Sequence, residues 1–436
     1  MLNINDRYIN CLKANLVYSD LNPCGGGERL TLITIQALVE MGISIEFTTL
    51  HKPDITRLEN AFGERVASVI KNIEKVNVLR AWEEQSINDN ITRNDYDLVI
   101  NTHGDIAPYY HKSLSKDNAI TYCHFPSAKS FIESEDKAYF EKHIVATTDE
   151  TTKSSSPFPN HTFSSNANLA VTVDEQEQSN NAKLGNNSNF NRATHIKWLN
   201  YAYENLMKNS TLITNSEYSR KAIADTYGIN DAIVLSPPVD VDTFRNKVLL
   251  SKSSGKERED IALVTCRIDP LKKIENAIRL ARLLKDNRIG KGMNIAGSLE
   301  PYYYDYYLQL REMIVDLDLS DYINLEPNVS LDKLLSLLDK SSIYFHPKPA
   351  EHFGISIVEA MSAGLVPVVP NTGGQTEFVP SKYQFRTLED AAQIISSSFD
   401  ISFSERHAIS YSATRFCASK YIQRFKQLVN ELFVNK

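Results

Sequence analysis

The sequence predicts an α/β chain built from two parallel sheets, and three observations carry that prediction. Short apolar runs alternate with helical patterns along most of the 436 residues, as they do when helices cover a parallel sheet. Glycine-rich turns follow apolar runs directly, at Gly25-Gly26-Gly27 and at Thr372-Gly373-Gly374, where such sheets hold ligands. A polar stretch from Asn246 to Asp260 follows Pro237-Pro238 and divides two such alternations, as an inter-domain linker would.

Composition narrows the function classes. Hydrophobic residues make up 42% and charged residues 23%, enough for each half to bury its own core. A net charge of −7 without long basic runs gives no nucleic-acid footprint. No run approaches the roughly 18 apolar residues of a membrane span, so any membrane contact is expected to be peripheral. Met1 to Arg7 lacks the charged start and apolar centre of a signal peptide. Cys11, Cys24, Cys123, Cys266 and Cys417 are scattered. With no C-x-x-C pair among them, neither a disulfide framework nor a zinc site is expected, and a cytoplasmic location is.

In chain order, Leu16 to Ser19 reads as a buried strand, and Leu30 to Met41 reads as a helix closed by Gly42. Gly25, Gly26 and Gly27 lie between them, where backbone N–H groups can approach a ligand at the positive end of a helix dipole. The turn is neither G-x-G-x-x-G nor a P-loop, so NAD binding and ATP hydrolysis are not expected there. Ile45 to Thr48 is a predicted strand and Leu58 to Ile70 a predicted helix. Leu98 to Ile100 and Ala119 to Cys123 read as strands, with His103 and His124 just past their ends. From about 147 to 193 the chain is rich in Ser, Asn, Thr and Gln and has no period, which predicts a disordered insertion.

Helices are expected from His195 to Met207 and from Glu217 to Tyr227, with strands at Leu212 to Thr214 and Ala232 to Leu235. After the linker, Ile261 to Val264 is a predicted strand, followed by Arg267 and Lys272-Lys273 and a helix from Glu275 to Leu284. Met293 to Ala296 is a strand. The tyrosine-rich helix from Tyr302 to Asp316 is expected to pack its tyrosines against the neighbouring layer. Ile323 to Leu325 and the helix from Leu331 to Leu338 lead to a strand at Ile343 to His346. Glu351 follows in a loop, then a helix opens at Phe353-Gly354-Ile355 with Glu359 about one turn inside it. At about 1.5 Å of rise per residue, the two carboxylates are too far apart to share one proton. They suit two parts of one elongated ligand. Val366 to Val369 is a strand, and Leu388 to Val434 looks helical throughout.

Arg267 and Lys272 suit a diphosphate, the arginine through its fork and the lysine as a point charge. The helix start at Gly354-Ile355 adds backbone donors, and Glu351 and Glu359 can accept from sugar and ribose hydroxyls. These residues fit a nucleotide-diphosphate-sugar site, with a generic phosphorylated metabolite as the alternative. No Asp-x-Asp cluster is present to hold a divalent ion, so the cations would stabilise the leaving group themselves.

On Glu351 to Glu359 (the E-x7-E motif), Ala360-Met361-Ser362-Ala363-Gly364, Thr372-Gly373-Gly374, Arg267 with Lys272, and Gly25 to Arg29, the sequence resembles glycosyltransferase family 4. Within that family, Gly25-Gly26-Gly27-Glu28-Arg29, Tyr122-Cys123-His124-Phe125-Pro126 and Ser236-Pro237-Pro238-Val239-Asp240 are similar to the lipid-linked-oligosaccharide α-1,2-mannosyltransferases. The resemblance implies the GT-B fold: two Rossmann-like parallel-sheet domains facing across a cleft, with a C-terminal helix crossing back to the N-domain. It implies an acceptor domain at 1–245, a nucleotide-sugar domain at 246–413 and the crossing helix at 414–436. The implied activity is retaining transfer of a hexose from a nucleotide-diphosphate sugar, such as GDP-mannose, to a glycan or lipid-linked acceptor, without a metal or other cofactor. By resemblance, Glu351 and His124 lie at the reacting sugar and Glu359 at the ribose. Lys273 stands where the family carries glycine, so both Lys272 and Lys273 are candidates for the phosphate. The alternatives are a non-catalytic nucleotide-sugar-binding protein and another two-domain enzyme, such as a sugar-nucleotide epimerase.

Overall fold

The computed structural model describes residues 12–106, 108–133, 192–246 and 258–434. The expected insertion lies outside the described residues, apart from Arg192 and Ala193 at the start of a helix. Most of the expected linker lies outside them too.

Among the described residues there are two sheets. The first holds β1 (Lys13–Val17), β2 (Ser44–Thr49), β3 (Lys75–Val78), β4 (Leu98–Asn101), β5 (Ala119–Cys123), β6 (Thr211–Thr214) and β7 (Ile233–Val234), in the order β3-β2-β1-β4-β5-β6-β7. The second holds β8 (Glu259–Thr265), β9 (Gly292–Gly297), β10 (Ile323–Pro327), β11 (Ser341–Phe345), β12 (Val366–Pro370) and β13 (Gln384–Phe385), in the order β10-β9-β8-β11-β12-β13. The pairs β1 with β2 and β4, and β8 with β9 and β11, are parallel. In both sheets the order reverses beside the first strand, between β1 and β4 and between β8 and β11. Such a reversal opens a crevice at the strand C-termini.

By its contacts the chain falls into two compact units. The described residues of one lie within Met1–Pro23, Leu38–Leu58 and Ser68–Leu212, and those of the other within Cys24–Ala37, Glu59–Ala67 and Ile213–Lys436. The glycine turn and the first turns of its helix therefore belong with the second unit. Within that unit the centre is fully buried: β11 and β12 expose nothing, and Ile343, Tyr344, Phe345, Val366, Val368 and Val369 join one hydrophobic core. Strands covered on both faces have no polar alternation, which is why these runs read as continuous apolar sequence.

Several elements differ from the sequence expectation. The helix after β1 spans Gly26–Glu40, so Gly26 and Gly27 are its first residues rather than a free turn. The expected helix from Leu58 to Ile70 is three pieces, Ile55–Phe62, Glu64–Ala67 and a 3-10 turn at Ser68–Asn72, broken at Gly63, whose φ is +83°. β3, the helix Glu84–Asn94 and β13 were not anticipated. The C-terminal region is divided into Leu388–Ser398, Phe403–Ala413 and Ala418–Val434, with a 3-10 turn at Thr414–Phe416. The tyrosines of the helix Tyr304–Asp316 do not pack as a group. Tyr306 is buried, but Tyr302 is 75% and Tyr304 54% exposed; only one face of a surface helix meets the core.

Candidate active site

Three neighbouring strands of the second sheet supply the site. The loop after β8 carries Arg267 and Lys272, the loop after β11 carries His346, Lys348 and Glu351, and the loop after β12 carries Thr372, Gly373 and Gly374. Because β8, β11 and β12 lie side by side, their C-terminal loops converge.

Glu351 is the centre of this convergence and is buried. Its Oε2 accepts from Lys272 Nζ at 3.0 Å and lies 3.7 Å from Lys348 Nζ and 3.5 Å from His346 Nε2. Its Oε1 accepts from the His352 backbone N–H at 3.2 Å. Burial works to raise its pKa, but Lys272, then His346 and Lys348, hold the carboxyl well below the usual carboxylate range. Glu351 is therefore ionised throughout the neutral range.

Backbone contacts fix the Glu351 loop from several sides. Residues 351 and 373 form a parallel bridge. The Gly374 N–H donates to the Glu351 carbonyl at 2.8 Å, and the Ala350 N–H to that of Thr372 at 3.1 Å. Gly373 has φ +109°, and a Cβ there would lie 2.6 Å from the Glu351 carbonyl oxygen; only glycine meets both demands. Ser216 Oγ donates to the His352 carbonyl at 2.7 Å. Asn276 Nδ2, in the helix Ile274–Asp286, donates to the Pro347 carbonyl at 3.1 Å. The helix Ile355–Ser362 starts at Gly354, in the left-handed region. Arg258 ties its far end to the sheet by donating to the carbonyls of Ala363, Leu338 and Ser341.

Glu359 has a different environment. No other side chain hydrogen-bonds its carboxyl among the described residues, and burial pushes its pKa up to about 7, with Arg29 opposing and Asp240 reinforcing the shift. Arg29 Nη1 itself lies 3.5 Å from Asp240 Oδ2 and its guanidinium stacks over the Phe62 ring. Gly26 brings this helix close: a Cβ on it would lie 2.3 Å from Ile355 Cδ1. Gly25 donates its N–H to Glu28 Oε2 at 2.7 Å, which closes the first turn.

The other predicted residues fall as follows. Arg267 Nε lies 3.4 Å from Asp269 Oδ2 and its side chain is half-exposed. Lys273 is exposed, with φ +54°, and caps the helix Ile274–Asp286. It thus occupies a left-handed position that suits glycine, while Lys272 points to Glu351. Phe353 is buried in an aromatic cluster with Phe378 and Phe416, so its side chain serves the core. Ile355 faces Gly26, Thr372 is exposed, and Gly374 is buried under His352 and Ser216. His124 belongs to the first unit. Its Nε2 donates to the Thr102 carbonyl at 2.9 Å, and burial lowers its pKa, so the ring is neutral. His103 is held by Ser19: its Nδ1 accepts from the Ser19 N–H at 3.1 Å, which places its proton on Nε2.

Sequence reasoning missed Lys348, His346, Arg29 and Asp240 as members of the site. Arg29 and Asp240 stand in motifs that carry the resemblance, and Lys348 lies three residues before Glu351 on the same loop. Among the described residues no group of three His, Cys, Asp or Glu side chains is placed to hold a metal ion, and no helix is long and apolar enough to cross a membrane.

Residues 247–393 match the family model described as "Glycosyl transferases group 1". The fold is the GT-B type: a sucrose-phosphate synthase from Thermosynechococcus elongatus superimposes with a TM-score of 0.64 at 11% identity, covering 98% of this chain and 100% of that one. The chain is also 26% identical over 226 residues to a Dictyostelium discoideum protein named GDP-Man:Man(3)GlcNAc(2)-PP-Dol alpha-1,2-mannosyltransferase, covering 47% of this chain and 44% of the relative. A Neurospora crassa protein of the same name is 25% identical over 266 residues, covering 54% and 48%. The chain thus spans about half the length of the curated relatives it matches.

Proposed function

We propose that this chain is a retaining, metal-independent glycosyltransferase that moves a hexose from a nucleotide-diphosphate sugar to a glycan or lipid-linked acceptor. One observation carries the reading: a buried glutamate that is ionised at neutral pH, Glu351, sits against two lysines where three adjacent strands end. An ionised carboxylate suits sugar hydroxyls as an acceptor, and lysines suit phosphate oxygens. In the proposed reaction the sugar C1–O bond breaks with its electron pair on the diphosphate oxygen. The acceptor oxygen bonds to C1 on the same face, and its proton goes to the departing diphosphate. Lys272 and Arg267 stabilise the charge that develops there. Glu351 is neither proton donor nor covalent nucleophile in this scheme; its task is to orient the sugar.

The donor we propose is GDP-mannose and the acceptor a lipid-linked oligosaccharide, because the relatives' names carry both. Residues 246–413 would hold the donor and residues 1–245, with His124, the acceptor side. Such an enzyme would work at the cytoplasmic face of a membrane through peripheral contact. Glu359 would bind the ribose in its ionised form. The test is release of free nucleoside diphosphate from GDP-mannose, UDP-glucose or UDP-N-acetylglucosamine in the presence of a lipid-linked oligosaccharide. Acceptor-dependent release supports the proposal; donor binding without release supports a non-catalytic binding protein instead.

A further inference from the structure

We infer that Lys348 is a third phosphate-contacting cation of the donor site, acting beside Arg267 and Lys272; this rests on the diphosphate-sugar reading above. Two ammonium groups, Lys272 Nζ at 3.0 Å and Lys348 Nζ at 3.7 Å, share the single oxygen Glu351 Oε2. Lys272 alone neutralises that carboxylate, so the second lysine is in excess. Arg267 is already matched by Asp269 at 3.4 Å. Among the described residues, three cations therefore face two carboxylates, an excess of one positive charge.

That excess is held where charge is costly. The Lys348 side chain is only 20% exposed, and burial lowers the pKa of its ammonium group. His346, 2% exposed, has its Nε2 3.5 Å from the same Glu351 oxygen. Burial lowers the His346 pKa, so the ring adds no further positive charge. A diphosphate, unlike a neutral sugar or a nucleoside, brings the negative charge this arrangement lacks. The geometry is also fixed: the Asn276–Pro347 hydrogen bond ties the Lys348 loop to the helix that follows Lys272. Lys348 and Lys272 thus converge on one point, whereas the exposed Lys273 does not.

The test is calorimetric titration of the full chain with GDP, GMP and guanosine, with UDP and UMP as the alternative series. Lys348→Met keeps the aliphatic stem and Lys348→Gln keeps a donor; a melting curve for each establishes folding. The expected result is a loss of about ten- to a hundred-fold in diphosphate affinity, the worth of one charge-assisted hydrogen bond, with nucleoside affinity unchanged. Lys348→Arg is expected to restore most of the loss. If Lys272→Ala weakens diphosphate binding while both folded Lys348 variants bind like wild type, this inference fails and the donor-site reading stands. If wild-type protein binds neither diphosphate, the donor-site reading fails and this inference with it.

Discussion

Glu351 and Glu359 belong to one motif, eight residues apart, yet the structure gives them opposite proton affinities. Glu351 lies in a loop among two lysines and a histidine and stays ionised far below neutral pH. Glu359 lies within a helix, with no hydrogen-bond donor to its carboxyl among the described residues, and titrates at about 7. Identical side chains at a fixed spacing can therefore do unlike work, because environment sets the charge of each. The cation-rich end reads as the phosphate-and-sugar end. The weakly compensated end reads as one that waits for hydroxyl donors.

The largest effect that would break this contrast is expected at Lys272. Lys272→Ala removes the closest compensation of Glu351 and one phosphate ligand, and initial rates should fall about 100- to 1,000-fold while circular dichroism stays native. A wild-type rate would remove Lys272 from the site. Gly373→Ala should come next. Its Cβ would press on the Glu351 backbone at a left-handed φ, costing about 2–3 kcal/mol in denaturant melts and displacing the Glu351 loop.

Glu359→Gln tests the other half of the contrast. The folded pKa is raised above the unfolded one, so stability is full below about pH 4.5 and is lost as pH rises towards 7. The glutamine should thus stabilise the unliganded protein by up to about 3 kcal/mol at pH 8, and by nothing at pH 4. An equal gain at both pH values would mean that the effect is packing rather than charge. In the same frame, wild-type donor affinity should weaken as pH falls through 7, when Glu359 takes up a proton, and the Gln variant should lose that dependence. The smallest expected effect is at Lys273. Lys273→Gly relieves a left-handed lysine, worth at most about 1 kcal/mol, with donor affinity unchanged; a clear loss of affinity would make Lys273 a phosphate ligand.

Much of this was legible in the sequence because the relevant signals are local. Buried parallel strands are short apolar runs, and the loop acids and glycines of the Glu351 and Gly373 turns follow those runs directly. The partners of Glu359 were not legible: Arg29 and Asp240 lie far away in sequence, and only the folded helix Gly26–Glu40 brings Arg29 near. Lys348 was visible but not singled out, since a lone loop lysine carries no pattern of its own. The tyrosine-rich helix shows that aromatic content does not specify burial: helical geometry leaves Tyr304 and Leu308 facing solvent. Lys273 shows the converse: a positive φ is invisible when the residue that adopts it is not glycine.

The most direct test is acceptor-dependent release of nucleoside diphosphate by wild-type protein and Glu351→Ala, measured side by side with GDP-mannose and a lipid-linked oligosaccharide. Release by the wild type and a loss of about 100-fold or more in the variant are expected, both proteins being folded. Release at equal rates by the two proteins would contradict the claim that Glu351 is the centre of the site.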